Sequence, residues 1–178
     1  MTYDRRNPMI PFTEDDISLC LKEWQNSAAL DHFEILTGGF SQTNYKVTLK
    51  NQPPVVIRAF RDPHLAQKEF HLISIVGGKV PVPQVYHIST SPVKESQSHL
   101  ILEFVDYPSL KTSQDQNQIF WNSLAHSIGR TLASIHSFTF PHSGFFDDFL
   151  EIPNPFPDAI TPAYNYVQNS LQENVPHN

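Results

Sequence analysis

Gly38 and Gly39, followed by Phe40, Ser41, Gln42, Thr43 and Asn44, are the residues of this chain whose types best suit holding an anion. Glycine has no Cβ, so the backbone there can take positive φ and come close to a ligand. Ser41, Thr43 and Asn44 crowd polar groups into the same turn. Phosphate cradling by a glycine-rich hairpin is the chemistry such a turn offers. An ordinary hairpin loop has the same composition, and taken alone these residues favour that plainer reading. Other chemistries are less well supplied. There is no Gly-x-Ser-x-Gly segment for a serine nucleophile. The histidines show no metal-ligand spacing with one another or with Cys20. His136, at the end of an apolar helix, reads as a structural residue.

The elements that must position the turn are legible. Thr13 with Asp16 forms a capping-box-like start to a helix over 13–25, and Ile17, Cys20, Leu21 and Trp24 make its apolar stripe. From His32 to Leu49 two strands flank the glycines, with Thr43, Tyr45, Val47 and Leu49 alternating against Asn44, Lys46 and Thr48. Asn51 to Pro54 is a turn, and Val55 to Phe60 a third strand, giving an antiparallel meander. Asp62 and Pro63 open a second helix that runs to about Val76, where Gly77 and Gly78 end it. Ala66, Phe70 and Ile73 mark its buried face. Val80 to Ile88 is extended, since each proline pushes the residue before it out of the helical region. After a polar loop over 91–98, His99 to Phe104 is a fifth, apolar strand.

Helix then replaces strand. Trp121, Leu124, Ile128, Leu132 and Ile135 keep one stripe over about four turns. Gly129 within it points to another backbone packed close. An irregular, proline-rich stretch from Pro141 to Pro162 leads to a last short helix over 161–172.

Composition bounds the function classes. The 178 residues suit one domain or slightly more, and 39% hydrophobic content with 13 Phe and 6 Tyr supports a real core. A net charge of −6 argues against nucleic acid as the main partner, because phosphate neutralisation needs a basic face. No apolar run is long enough to span a bilayer, so no membrane role is expected. The start of the chain lacks a secretory signal, and the single cysteine fits a reducing, cytoplasmic setting. Beyond Lys111 the only Lys or Arg is Arg130, against six carboxylates; a solvated acidic face explains this more simply than a cation-binding surface.

The order of glycine hairpin, strand with Arg58, helix with Glu69, apolar strand ending at Glu103, then helices resembles the amino-terminal lobe of a protein-kinase-like fold. More narrowly it is similar to the aminoglycoside phosphotransferase and choline kinase-like family. The residues that carry the resemblance are Gly38 to Val47, Val56-Ile57-Arg58, Val80-Pro81-Val82-Pro83, Leu100 to Phe104 and Leu132 to His136. The resemblance implies an α+β fold: a kinase-like N-lobe with a five-stranded antiparallel sheet and a helix, followed by an incomplete helical C-lobe. It implies a helical extension over 1–31, a nucleotide-binding lobe over 32–106 and the start of the C-lobe over 107–178. It also implies ATP or GTP as nucleotide, with Mg²⁺ in the intact family, and a small-molecule hydroxyl acceptor.

Site roles follow from the resemblance. Gly38, Gly39, Phe40, Ser41 and Asn44 would form the nucleotide loop. Arg58 would hold the α- and β-phosphates, with Glu69 fixing it in place; arginine instead of lysine at this position is tolerated in the family. The alternative is that Arg58 and Glu69 are an unrelated surface charge and helix carboxylate. The carbonyl of Glu103 and the amide of Val105 would meet adenine at the hinge, or this is simply the end of a buried strand.

The family's catalytic loop has the form His-x-Asp-x-x-x-x-Asn, followed by a metal-binding Asp. No histidine here is followed by Asp two residues on, so neither the catalytic residues nor the Mg²⁺ ligands are expected in this chain. Three functions remain in play. An inactive front part of a small-molecule kinase predicts an open frame beyond Asn178 that encodes the loop. A naturally short nucleotide- or protein-binding module predicts a stop codon there, and self-association through the exposed stripe from Trp121 to Ile135. An unrelated α+β binding domain predicts no nucleotide affinity.

Overall fold

The computed structural model describes residues 7–37, 41–107, 118–156 and 164–165. Helix α1 (Glu14–Trp24) is followed by strands β1 (Leu30–Leu36), β2 (Thr43–Leu49) and β3 (Val55–Phe60). Then come helix α2 (Pro63–Val76), strands β4 (Val85–Ser89) and β5 (Ser98–Glu103), and helix α3 (Gln118–His136). The strands form one antiparallel sheet in the order β1-β2-β3-β5-β4. This is the five-stranded architecture expected from the sequence.

Local chemistry accounts for the elements. Thr13 caps α1 through a full capping box: its backbone N–H donates to Asp16 Oδ2 at 2.6 Å, and Asp16 N–H donates back to Thr13 Oγ1 at 3.4 Å. Asp62 caps α2 by accepting from the His64 N–H at 3.0 Å. At the other end Gly77 stays right-handed, so its freedom at positive φ is not what ends the helix. Its lack of a side chain matters instead, because a Cβ there would lie 3.0 Å from Ile73 O and 3.2 Å from Val82 Cγ2. Only Val85–Ser89 of the expected extended stretch joins the sheet.

Both faces of the sheet are covered. On one, Tyr45, Val47, Ile57, Ala59 and Ile101 pack against Ile17, Cys20 and Leu21 of α1 and against Ile10 and Phe12 before it. The segment ahead of β1 thus shares the core of the sheet. Tyr45 pins it: the phenol bonds to Ile10 O and accepts from the Phe12 N–H at 2.8 Å, and its ring stacks on Phe12. On the other face, Val56, Phe60, Leu100 and Leu102 pack against Ala66, Phe70 and Ile73 of α2.

Two expectations for the C-terminal half need correction or limit. A Cβ on Gly129 would meet nothing within 4 Å, so among the described residues no backbone packs close to it. Ile128, Leu132 and Ile135 of the α3 stripe are exposed. The helix expected over 161–172 lies, apart from residues 164–165, outside the described residues. No helix among the described residues is long and apolar enough to cross a membrane.

Candidate functional site

β2 and β3 pair with Asn44 opposite Arg58, which sets the two side chains on the same face of the sheet. That face is the one α2 covers, since Val56 and Phe60 flank Arg58 and belong to its core. The Arg58 Nε donates to Asn44 Oδ1 at 2.8 Å, and Nη1 pairs with Glu69 Oε1 from α2. The side chains of Arg58 and Glu69 are 31% and 26% exposed, partly shielded from solvent while still reachable by a ligand. Partial shielding strengthens the pair over a fully hydrated one. The guanidinium keeps donors beyond those used by Asn44 and Glu69, as an anion-holding arginine must.

Beside Arg58 the sheet opens into a cleft of ≈ 190 Å³. Leu36, Val56 and Leu102 give it apolar walls; Pro83, Glu103, Phe104 and Val105 form its edge where the chain leaves β5. Its size is below the roughly 300–1,000 Å³ of a complete small-molecule pocket, as expected of a site walled on one side. The Glu103 N–H donates to Gln84 O at 2.8 Å, and its carboxylate accepts from the Gln84 N–H at 3.1 Å. Glu103 therefore ties the approach to β4 onto β5, while Val105 is exposed. Lys46 lies 4.4 Å over the Phe104 ring and 3.8 Å from the Glu34 carboxylate. Such an arrangement can seat a flat, weakly polar group against the strands with an anionic tail toward Arg58.

Of the sequence-derived site residues, Asn44, Arg58, Glu69, Glu103 and Val105 thus come together around one cleft and its cation. Ser41 does not line it: it is exposed and faces a separate hollow of ≈ 580 Å³ with Gln42, Asp62 and Leu65. Gly38, Gly39 and Phe40 lie outside the described residues. Sequence reasoning placed Asn44 in the loop and missed its bond to Arg58; the signal was present in β-strand register, fourteen positions apart across a short turn. It also missed Lys46, which reads only as the polar half of an alternating strand.

Two histidines far apart in sequence meet in the fold. His87 and His99 show no ligand spacing in sequence, yet antiparallel pairing of β4 with β5 sets them side by side, with Glu23 of α1 beside them. Glu23, His87 and His99 are the one group of three metal-capable side chains among the described residues, and they sit on the α1 face, away from Arg58. Among the described residues the cleft brings no ligand set for Mg²⁺ together. Cys20 is buried, and burial pushes its thiol up to about 12, which leaves it unreactive.

A second tie binds the segment after α3 to α2. His64 Nδ1 pairs with the Asp148 carboxylate, and His71 Nδ1 bonds Asp148 O at 2.7 Å. Asp147 shapes that loop by accepting from the N–H groups of Phe149 and Glu151, each at 2.9 Å.

The fold has a counterpart among solved structures. The crystal structure of a Ralstonia eutropha JMP134 protein that carries the name aminoglycoside phosphotransferase superposes with a TM-score of 0.63 at 15% identity, covering 94% of this chain and 50% of that one. A Haemophilus somnus 129PT protein named as a fructosamine-3-kinase aligns with a TM-score of 0.47 at 20% identity over 79% of this chain and 45% of that one. The chain spans about half the length of these solved structures. None of the curated proteins compared matches it. The model of the phosphotransferase enzyme family matches residues 32–177, from within β1 through all the strands that build the cleft, and the chain belongs to that family.

Proposed function

We propose that this chain is the nucleotide-binding portion of a small-molecule phosphotransferase, taking ATP or GTP in the cleft beside Arg58. The observation that carries the reading is Arg58 held between Asn44 and Glu69 at the end of an apolar slot. Arg58 would bind the α- and β-phosphates, Glu69 and Asn44 would hold it in place, and the base would lie along Leu36, Val56 and Leu102. The Glu103 carbonyl and Val105 amide would meet the base edge. A bound nucleotide supplies the transferable phosphoryl group, and the acceptor is a small-molecule hydroxyl. Without a His-x-Asp-x-x-x-x-Asn segment, this chain by itself binds nucleotide and does not transfer phosphate.

Isothermal titration of the chain with ATP and with GTP tests this. Saturable binding of either nucleotide, lost in Arg58→Ala, is expected; no heat with either, from a folded protein, overturns it.

A second reading, a non-catalytic binding module, is favoured by one observation, the exposure of Ile128, Leu132 and Ile135 along α3. It predicts concentration-dependent self-association in sedimentation velocity that Leu132→Lys suppresses. A monomer at all concentrations would remove its support.

A further inference from the structure

We propose that Glu23, His87 and His99 form a site for a divalent transition-metal ion of the zinc class, fastening α1 to the sheet. His99 lies in β5 with no solvent exposure, yet neither Nδ1 nor Nε2 has a hydrogen-bond partner among the described residues. The buried Nε2 of His87 has none either. A neutral imidazole carries one N–H and one lone pair, and leaving both unmet in the interior is unfavourable enough to require a cause. A metal ion would take the lone pair of each ring and so satisfy one nitrogen of His99 and the Nε2 of His87.

The donors converge. Pairing of Ser89 with His99 and of His87 with Ile101 brings the two rings together, with centroids 6.2 Å apart and planes tilted by 50°. Glu23 Oε2 comes down from the last turn of α1 to 3.8 Å from His99 Nε2, and one ligand atom from each residue lies within 4.8 Å of the others. Two donors on tetrahedral zinc, with bonds of about 2.0–2.1 Å, stand about 3.3–3.4 Å apart. Glu23 is on an exposed helix face and His87 is half-buried, so both can close the remaining gap by side-chain rotation. Two imidazoles and a carboxylate suit Zn²⁺ and leave a fourth position for water. The exposed Glu23 marks the way in.

The site stands apart from the nucleotide reading. It occupies the opposite face of the sheet from Arg58, and Glu23 precedes the family-matched residues 32–177. A metal there would join the segment ahead of β1 to the family domain.

The test is titration of the full chain with Co²⁺ as a spectroscopic probe, followed by competition with Zn²⁺. One equivalent should bind with the visible bands of a four-coordinate ion, Zn²⁺ should displace it, and Zn²⁺ should raise the thermal midpoint. His87→Gln and Glu23→Gln, both reachable from solvent, should each weaken binding by about tenfold or more. His64→Gln and His71→Gln, in the other histidine cluster, should leave it unchanged. Absence of binding, wild-type affinity in His87→Gln and Glu23→Gln, or loss in the His64 or His71 variants would each overturn the site. Circular dichroism of every variant separates lost binding from lost fold.

Discussion

Arg58 takes its partners from two different elements, Asn44 across the hairpin and Glu69 from α2, so its position depends on both being in register. Removing it takes away charge-assisted hydrogen bonds that are worth about 1.5–3 kcal/mol each. Arg58→Ala should therefore weaken ATP or GTP binding by about tenfold to a hundredfold in calorimetric titration. Glu69→Gln keeps one hydrogen bond and should cost less; equal losses would mean that Glu69 does more than orient the arginine. His99 gives the protein a pH dependence. Burial, with His87 beside it, holds its imidazole down at about 4, while Glu23 opposes that shift. The unfolded histidine takes up a proton near 6.5 and the folded one does not. The stability that follows is present above about 6.5 and is lost as pH falls toward 4. The gap corresponds to about 3 kcal/mol. Urea midpoints measured with a chelator present should fall over that window, and His99→Leu should flatten the decline. A flat wild-type profile would contradict it.

Among the elements, β2 carries two duties on its two faces. Asn44 and Lys46 face the cleft side, while Tyr45 reaches the other way and bonds the backbone at Ile10 and Phe12. Tyr45 is fully buried, so Tyr45→Phe leaves a donor and an acceptor unmet in the core with no change in shape. A cost of about 1–3 kcal/mol in chemical denaturation is expected. Amide exchange should rise first over 10–24, because the phenol bonds that segment's backbone at Ile10 and Phe12, alongside the Thr43 hydroxyl that accepts from the Ile10 N–H. A loss spread evenly over the whole sheet would place the strain elsewhere. The α2 helix likewise serves two ends: Glu69 supports Arg58, and His64 and His71 hold the loop at Asp148.

Across the whole molecule, the His64–Asp148 pair links α2 to the segment beyond α3. The hydrogen bond that His64 donates to the Asp148 carboxylate, together with that carboxylate's charge, raises the His64 pKa above 6.5. A raised histidine stabilises most where it is protonated, so this tie is at full strength below 6.5 and weakens as pH climbs through the folded value. Hydrogen exchange over 146–151 should accelerate with rising pH beyond the intrinsic rate, and His64→Gln should remove the excess. No excess in the wild type would show that the loop is held by its other contacts, Asp148 O on His71 and Phe149 against the His71 ring. The pair is exposed, so the effect belongs to the loop and not to global stability.

Periodicity and punctuation were enough to determine the strands, the two capped helices and their order. Those signals are local: Thr13 and Asp16 are one turn apart, and Tyr45, Val47 and Leu49 alternate within one strand. The order of elements also carried the family resemblance, and with it Arg58, Glu69 and the end of β5 as candidate site residues. Tertiary structure alone decided what pairing over long separations brings together. Asn44 became a partner of Arg58 through β2–β3 register, and His99 met His87 through β4–β5 register and Glu23 through the packing of α1. It also left Gly129 without a close neighbour among the described residues and the α3 stripe exposed. A helical stripe in sequence states which face is apolar, and only packing determines whether anything covers it.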